Sequence, residues 1–194
     1  MILSNLNIHK AIDDGLLVIE PQPQPRMPNA HGECPYQTSA VDLTLGGEIS
    51  WLKEGMPISI DFRQGKFKTL FTAENCVTKA IAENDCYVLQ PGHFVLGKTR
   101  ERVGLPIQEG KTCLAARVEG RSSYARCGLL VHFTAPTIHS GFDGTITLEM
   151  MNFGRYPICL YPNTPICQLI VEQVEGTPFR NDSQFQGQRH ARGN

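Results

Sequence analysis

The chain has 194 residues, 41% hydrophobic, 19% charged and 8% aromatic, with a formal net charge of -1 at pH 7. That is enough apolar material for a real core, so a disordered chain is excluded. The even charge balance excludes a surface given over to nucleic acid, whose affinity rests on neutralising many phosphates. No run approaches the roughly 20 consecutive apolar residues of a membrane span, and the first fifteen residues lack the basic-then-apolar layout of a signal peptide. A cytoplasmic protein with no membrane partner is expected.

The chain opens with a helix signature: Ser4 as cap, Leu6, Ile8, Ala11 and Ile12 as an apolar side, Gly15 as terminator. Prolines at 21, 23, 25 and 28 lock φ and remove donors, so residues 20–28 form an extended connector. From Val41 the period changes to two. Val41, Leu43 and Leu45 alternate with Asp42 and Thr44 before Gly46-Gly47, and Ile58, Ile60 and Phe62 repeat the pattern. Residues 86–90, the turn Pro91-Gly92 and residues 94–97 read as a hairpin. Further strands are expected over 115–119, 129–134, 145–150, 158–161 and 166–174. Short strands at such spacing indicate an all-β sandwich or barrel. One domain is expected: helix and connector over 1–40, β core over 41–175, and a flexible tail over 176–194 with no core residue after Phe185. Order in that tail would come from a ligand or a neighbouring subunit.

The seven cysteines, at 34, 76, 86, 113, 127, 159 and 167, are widely spaced and form no C-x-x-C pair, which argues against structural zinc. Those in or beside apolar runs, Cys127, Cys159 and Cys167, read as small buried hydrophobes with reduced thiols.

Two stretches carry chemistry. Residues 119–128 read as a one-turn helix between strands, opening on Ser122-Ser123 and ending at Gly128. Unpaired backbone donors at its start and Arg121 beside them suit an anion, while Ser122 and Arg126, four apart, share a face. The plain alternative is a capped turn whose arginines pair with surface carboxylates. Over 141–152, Ile146, Leu148 and Met150 should face one side, with Thr145, Thr147 and Glu149 on the other. Glu149 belongs either to a solvated face or to a site.

Together these stretches resemble the dCTP deaminases of the dUTPase-like superfamily. The family pattern G-R-S-S-x-A-R-x-G appears as residues 120–128, H-x-T-A as His132 to Ala135, and G-x-x-G-x-I-x-L-E as residues 141–149. The opening helix, residues 37–46, Leu89 to Gly92 and Gln186 to Gln188 match in the same order, so the resemblance spans nearly the whole chain.

The resemblance implies a distorted jelly-roll or dUTPase-like β-barrel, a homotrimer with sites between subunits, and hydrolysis of dCTP to dUTP and ammonia. It also implies Mg²⁺ carried on the triphosphate and dTTP as feedback inhibitor. No zinc is expected, because the H-x-E…P-C-x-x-C signature of zinc deaminases is absent. Glu149 would then activate the water, with Ser122, Arg126 and the Ala135 carbonyl holding water and carboxylate in place; Arg126 can pair with Glu149 and keep it ionised. Arg121, Ser123 and Gln188 would hold the triphosphate. Backbone groups around Thr147 and Leu148 would read the cytosine edge, and Tyr124, Ala125, His139, Phe179 and Gln184 complete the nucleotide site. His132 reads as a packed histidine supporting it.

Four positions depart from the family. His139 stands where an aspartate supports triphosphate hydrolysis in bifunctional relatives, which favours a dUTP-forming enzyme over one that continues to dUMP. Gln184-Phe185 replaces a Lys-Tyr pair, and Phe179 replaces a tyrosine. The alternatives are a bifunctional deaminase and diphosphatase, or a catalytically silent nucleotide-binding trimer.

Overall fold

Thirteen β-strands and two helices follow one another along the chain, all strand pairs antiparallel, in a computed structural model that describes residues 1–57, 59–61, 63, 69–181 and 187–192. They are α1 (Asn5–Asp13), β1 (Val18–Glu20), β2 (Tyr36–Gln37), β3 (Ala40–Thr44), β4 (Glu48–Leu52), β5 (Cys76–Ala80), β6 (Tyr87–Leu89) and β7 (Phe94–Gly104). Then come β8 (Cys113–Gly120), α2 (Ser122–Ala125), β9 (Leu129–Val131), β10 (Thr137–Ile138), β11 (Asp143–Asn152), β12 (Ile158–Leu160) and β13 (Pro165–Val174). One sheet runs β5-β4-β7-β11-β9, with β1 also paired to β7; a second runs β10-β8-β13-β3-β2; β6 and β12 form a ribbon. The fold is mainly β with one short N-terminal helix, as expected.

The period-2 pattern explains the core. Along β11 every second residue is buried, and Ile146, Leu148 and Met150 lie inside. They join Val41, Leu43 and Leu169 from the second sheet, and Leu45 just past β3, in one contiguous cluster. Each such side chain contributes about 1.5–3 kcal/mol when fully buried. Helix α1 begins as the sequence indicates, with the Ser4 hydroxyl accepting from Asn7 N–H, and buries Ile8 and Ala11; Leu6 stays exposed.

Several expectations need correction. Residues 86–90 and 94–97 do not pair with each other: β6 pairs with β12, and β7 with β11, β4 and β1. Asn152 is the reason. Its side-chain amide donates to Leu89 C=O and its own C=O accepts from Gly92 N–H, each at 2.8–2.9 Å, so the two groups a hairpin would use are taken. Ile60 is exposed and belongs to no strand, while Ile58 and Phe62 lie outside the described residues. The strand expected over 129–134 ends at Val131, because His132 turns the chain with a φ of 56°. Cys167 is buried as expected, but Cys127 and Cys159 are exposed. On the ribbon, Leu160 faces inward and Cys159, one residue earlier, must face out.

The tail differs as well. Residues 187–192 pack on their own chain: Thr145 N–H donates to Gln188 C=O (2.9 Å), Ala191 N–H donates to Glu48 Oε1 (2.6 Å), and Ala191 is fully buried. Order there comes from the same chain, and a core residue does follow Phe185. Burial pushes the Glu48 carboxyl up, but the Ala191 N–H, the His190 ring and the Lys98 ammonium outweigh it and hold it below its usual value. A lowered folded pKa contributes docking that is present above the unfolded value and lost as pH falls through the folded one. Amide exchange at residues 188–191 is therefore expected to accelerate as pH drops below the ordinary carboxylate range, ahead of exchange in β11. Equal pH profiles for the two segments would refute this.

Candidate active site

Strand β11 carries the central carboxylate. Its register against β7 shifts between Thr145 and Thr147, and the Ile146 N–H that leaves the ladder donates instead to Thr99 Oγ1 (2.9 Å). Such a bulge re-aims the residues beyond it. Past it, Glu149 C=O accepts from His132 N–H (2.8 Å) on the edge facing β9. By strand periodicity the Thr147 N–H and C=O turn to that same edge, and those of Leu148 turn to β7. The Leu148 side chain is inside the core.

An open cleft of about 450 Å³ lies against this edge, within the range of small-ligand sites. Glu149, Ala135, Thr147, His139 and Gln188 line it, so five of the residues singled out from the sequence meet there. Thr147 Oγ1 donates to the Gln188 side-chain oxygen (2.6 Å). Phe94, Leu96, Phe142 and Ile146 form an apolar wall, and Arg180 and Arg192 supply cationic groups. Glu149 is the one carboxylate among the described lining residues. Its side chain is 35% exposed, and Oε2 lies 2.6 Å from Nδ1 of the buried His132, although neither His132 ring nitrogen is aligned for a hydrogen bond.

The partner expected for Glu149 was Arg126, and within one chain it is His132. Ser122 opens α2 and Arg126 caps its C-terminal end, and neither lines the cleft; both are exposed, and Arg126 has no ion pair among the described residues. Ser123 and Ala125 are exposed on the same turn, and Tyr124 packs against the core. Arg121, at the start of α2, is held by Asp42: Nη1 lies 2.6 Å from Oδ2, and its guanidinium sits 5.7 Å from the Tyr124 ring. Asp42 is buried, with Gln168 and Gln37 donating to its oxygens (2.9 and 3.2 Å). The arginine of the turn thus pairs with a buried carboxylate, where a surface one was the plain expectation. Phe179 is 86% exposed and apart from the cleft, and Gln184 lies outside the described residues.

The cleft's apolar wall and Arg192 were missed. Leu96 reaches the site because it stands opposite Glu149 across the β7–β11 ladder, and register of that kind leaves no mark in a single sequence. Among the described residues no three His, Cys, Asp or Glu side chains come together as a metal-ligand set, and no helix is long and apolar enough to cross a membrane.

A family model described as dCTP deaminase-like matches residues 2–174. The chain belongs to the dCTP deaminase-like family. A relative from Methanothermobacter thermautotrophicus named "dCTP deaminase, dUMP-forming" is 35% identical over 194 residues, covering 96% of this chain and 89% of its own. One of the same name from Dictyoglomus thermophilum is 40% identical over 169 residues (87% and 78%), and a "dCTP deaminase" from Natronomonas pharaonis is 35% identical over 199 (97% and 91%). A dCTP deaminase structure from Agrobacterium tumefaciens superposes with a TM-score of 0.61 at 15% identity, over 89% of this chain and 48% of that one, and shows the same fold. The names of these dCTP deaminase-like relatives agree better with the bifunctional alternative than with a dUTP-forming enzyme.

Proposed function

We propose that this chain deaminates dCTP and carries the product on to dUMP. The observation that carries the first half is Glu149, the one carboxylate among the described residues lining a cleft fit for a nucleotide. Removing the 4-amino group hydrolytically needs a base to take a proton from water as the oxygen attacks the amino-bearing ring carbon. Glu149 takes that proton and returns it to the ring nitrogen; the amine leaves as ammonia after accepting the second. The apolar wall of Phe94, Leu96 and Phe142 gives the ring a dry face, and the backbone edge at Thr147, which pairs with no strand there among the described residues, offers a donor and an acceptor for the base.

In this reading the chain works as a homotrimer. Ser122 and Arg126, exposed on α2 away from their own cleft, reach the cleft of a neighbouring copy, steadying the water and the carboxylate. Mg²⁺ would be held by the triphosphate rather than by the protein, since only one carboxylate faces the cleft among the described residues. It neutralises phosphate charge when bound. dTTP shares the sugar and triphosphate but lacks the 4-amino group, so it competes for the same cleft without reacting.

The second half, loss of pyrophosphate, is supported by the names of the relatives. One observation favours dUTP as end product: position 139 is histidine, and it lines the cleft without bringing a second carboxylate. Ammonia and pyrophosphate measured from one dCTP incubation separate these readings. Equal release of both is expected; ammonia without pyrophosphate means that the chain stops at dUTP, and neither product overturns the deaminase reading.

A further inference from the structure

The tail is clamped over the four residues that lead into Arg192. Gln188 is tied to Thr145 and Thr147 of β11, Lys98 donates from its ammonium to Arg189 C=O, and Glu48 of β4 holds the Ala191 N–H at 2.6 Å, with His190 Nδ1 3.3 Å from its other oxygen. Ala191 fills a buried seat. The next residue, Arg192, is thereby set in the cleft wall, where its Nε is buried without a hydrogen-bond partner among the described residues.

Arg26, Arg63, Arg102, Arg117 and Arg121 face carboxylates, and Arg126, unpaired among the described residues, is exposed to water; what sets Arg192 apart is that its unbonded donor is buried. Arg192 has no ion pair among the described residues, and the cleft's carboxylate, Glu149, is taken up with His132. A permanently charged guanidinium with a buried, unpaired donor is costly to keep. A ligand with several anionic oxygens removes that cost, and the planar fork of arginine suits a phosphate better than any other side chain.

We infer that Arg192 is a phosphate-binding residue of the cleft, set in position by Glu48, and that it supplies the cation that the chain lacks at Gln184. The inference rests on the proposed nucleotide function. Its ligand class is a polyphosphate chain, whether part of a nucleotide or free, and Glu48 is a positioning residue that never touches it.

The test uses the full-length protein, with initial rates of ammonia release against dCTP concentration and inhibition by inorganic triphosphate in parallel. Arg192→Ala is expected to raise KM for dCTP and Ki for triphosphate by a common factor of about tenfold or more, the size of one charge-assisted hydrogen bond. The loss should fall in KM rather than kcat, and Arg192→Lys should recover part of it. Glu48→Ala should raise the same two constants, and adding it to Arg192→Ala should cost nothing further, because both remove one contact. KM and Ki within twofold of wild type for Arg192→Ala would overturn the inference, as would a fall in kcat with Ki unmoved. If the wild-type chain releases no ammonia from dCTP, it is the functional reading that falls, and calorimetric binding of inorganic triphosphate to wild type and Arg192→Ala still decides the role of Arg192.

Discussion

Glu149→Gln is expected to lower ammonia release from dCTP by about 10²–10⁴, the usual worth of a positioned general base, with dCTP still bound. Glutamine keeps the size and shape of the side chain but cannot accept the water's proton. The backbone at 149 has little reason to move, since its C=O is fixed by the His132 N–H and its strand is paired to Leu96. Loss of turnover with calorimetric dCTP binding near the wild-type value is therefore the expected pair of results, and turnover within tenfold of wild type would remove Glu149 from the base role. The proposed assembly adds a sharper outcome. Arg126→Ala should also be inactive, and yet mixed trimers of the two variants should regain activity, because some clefts then combine an intact Glu149 with an intact α2 from another copy. No recovery on mixing would mean that α2 does not serve a neighbouring cleft.

What the sequence makes legible are features set by local chemistry. The alternation along β11 locates Ile146, Leu148 and Met150 inside and leaves Thr147 and Glu149 on the other face, and that is where the cleft lies. Ser4, Gly15 and the proline run likewise act within a few residues of themselves. Illegible are features set by which distant residue wins a hydrogen bond. Asn152 captures Leu89 and Gly92 and cancels an apparent hairpin. Asp42 reads as the polar, outward member of an alternating strand, yet it is buried because Arg121, Gln168 and Gln37 satisfy it from elsewhere in the chain. The tail looks solvent-bound on composition, and Glu48, more than a hundred residues earlier, holds it down. The site divides along the same line: alternation puts Thr147 and Glu149 on one face and the family resemblance adds Ala135, whereas Leu96, Arg192 and the His132 contact depend on register and docking.

Gly128→Ala is expected to be the most destabilising of the single-methyl changes around the site. Gly128 closes α2 with a φ of 91°, and a Cβ there would stand 2.3 Å from Gly154 N and 2.5 Å from its Cα. Gly154 is equally cramped, its own Cβ direction meeting Cys127 C=O at 2.5 Å, so the two segments lie glycine to glycine. Neither can retreat cheaply. Phe153 N–H donates to Gly128 C=O (2.8 Å), and Gly154 N–H donates to the buried Asn152 (2.9 Å). Backbone strain of about 1–2 kcal/mol for a side chain at positive φ adds to about 1–3 kcal/mol for overpacking. For a chain of this size that corresponds to a melting temperature lower by roughly 5–15 °C. Gly92→Ala is the control: its φ is 75°, but nothing lies within 4 Å of the new methyl, so only the strain applies. Because α2 carries Ser122 and Arg126, Gly128→Ala should also lose deamination at temperatures where it remains folded, while Gly92→Ala should not. If calorimetry finds the two variants equally stable, the close approach of Gly128 to Gly154 is not what holds α2 against the end of β11.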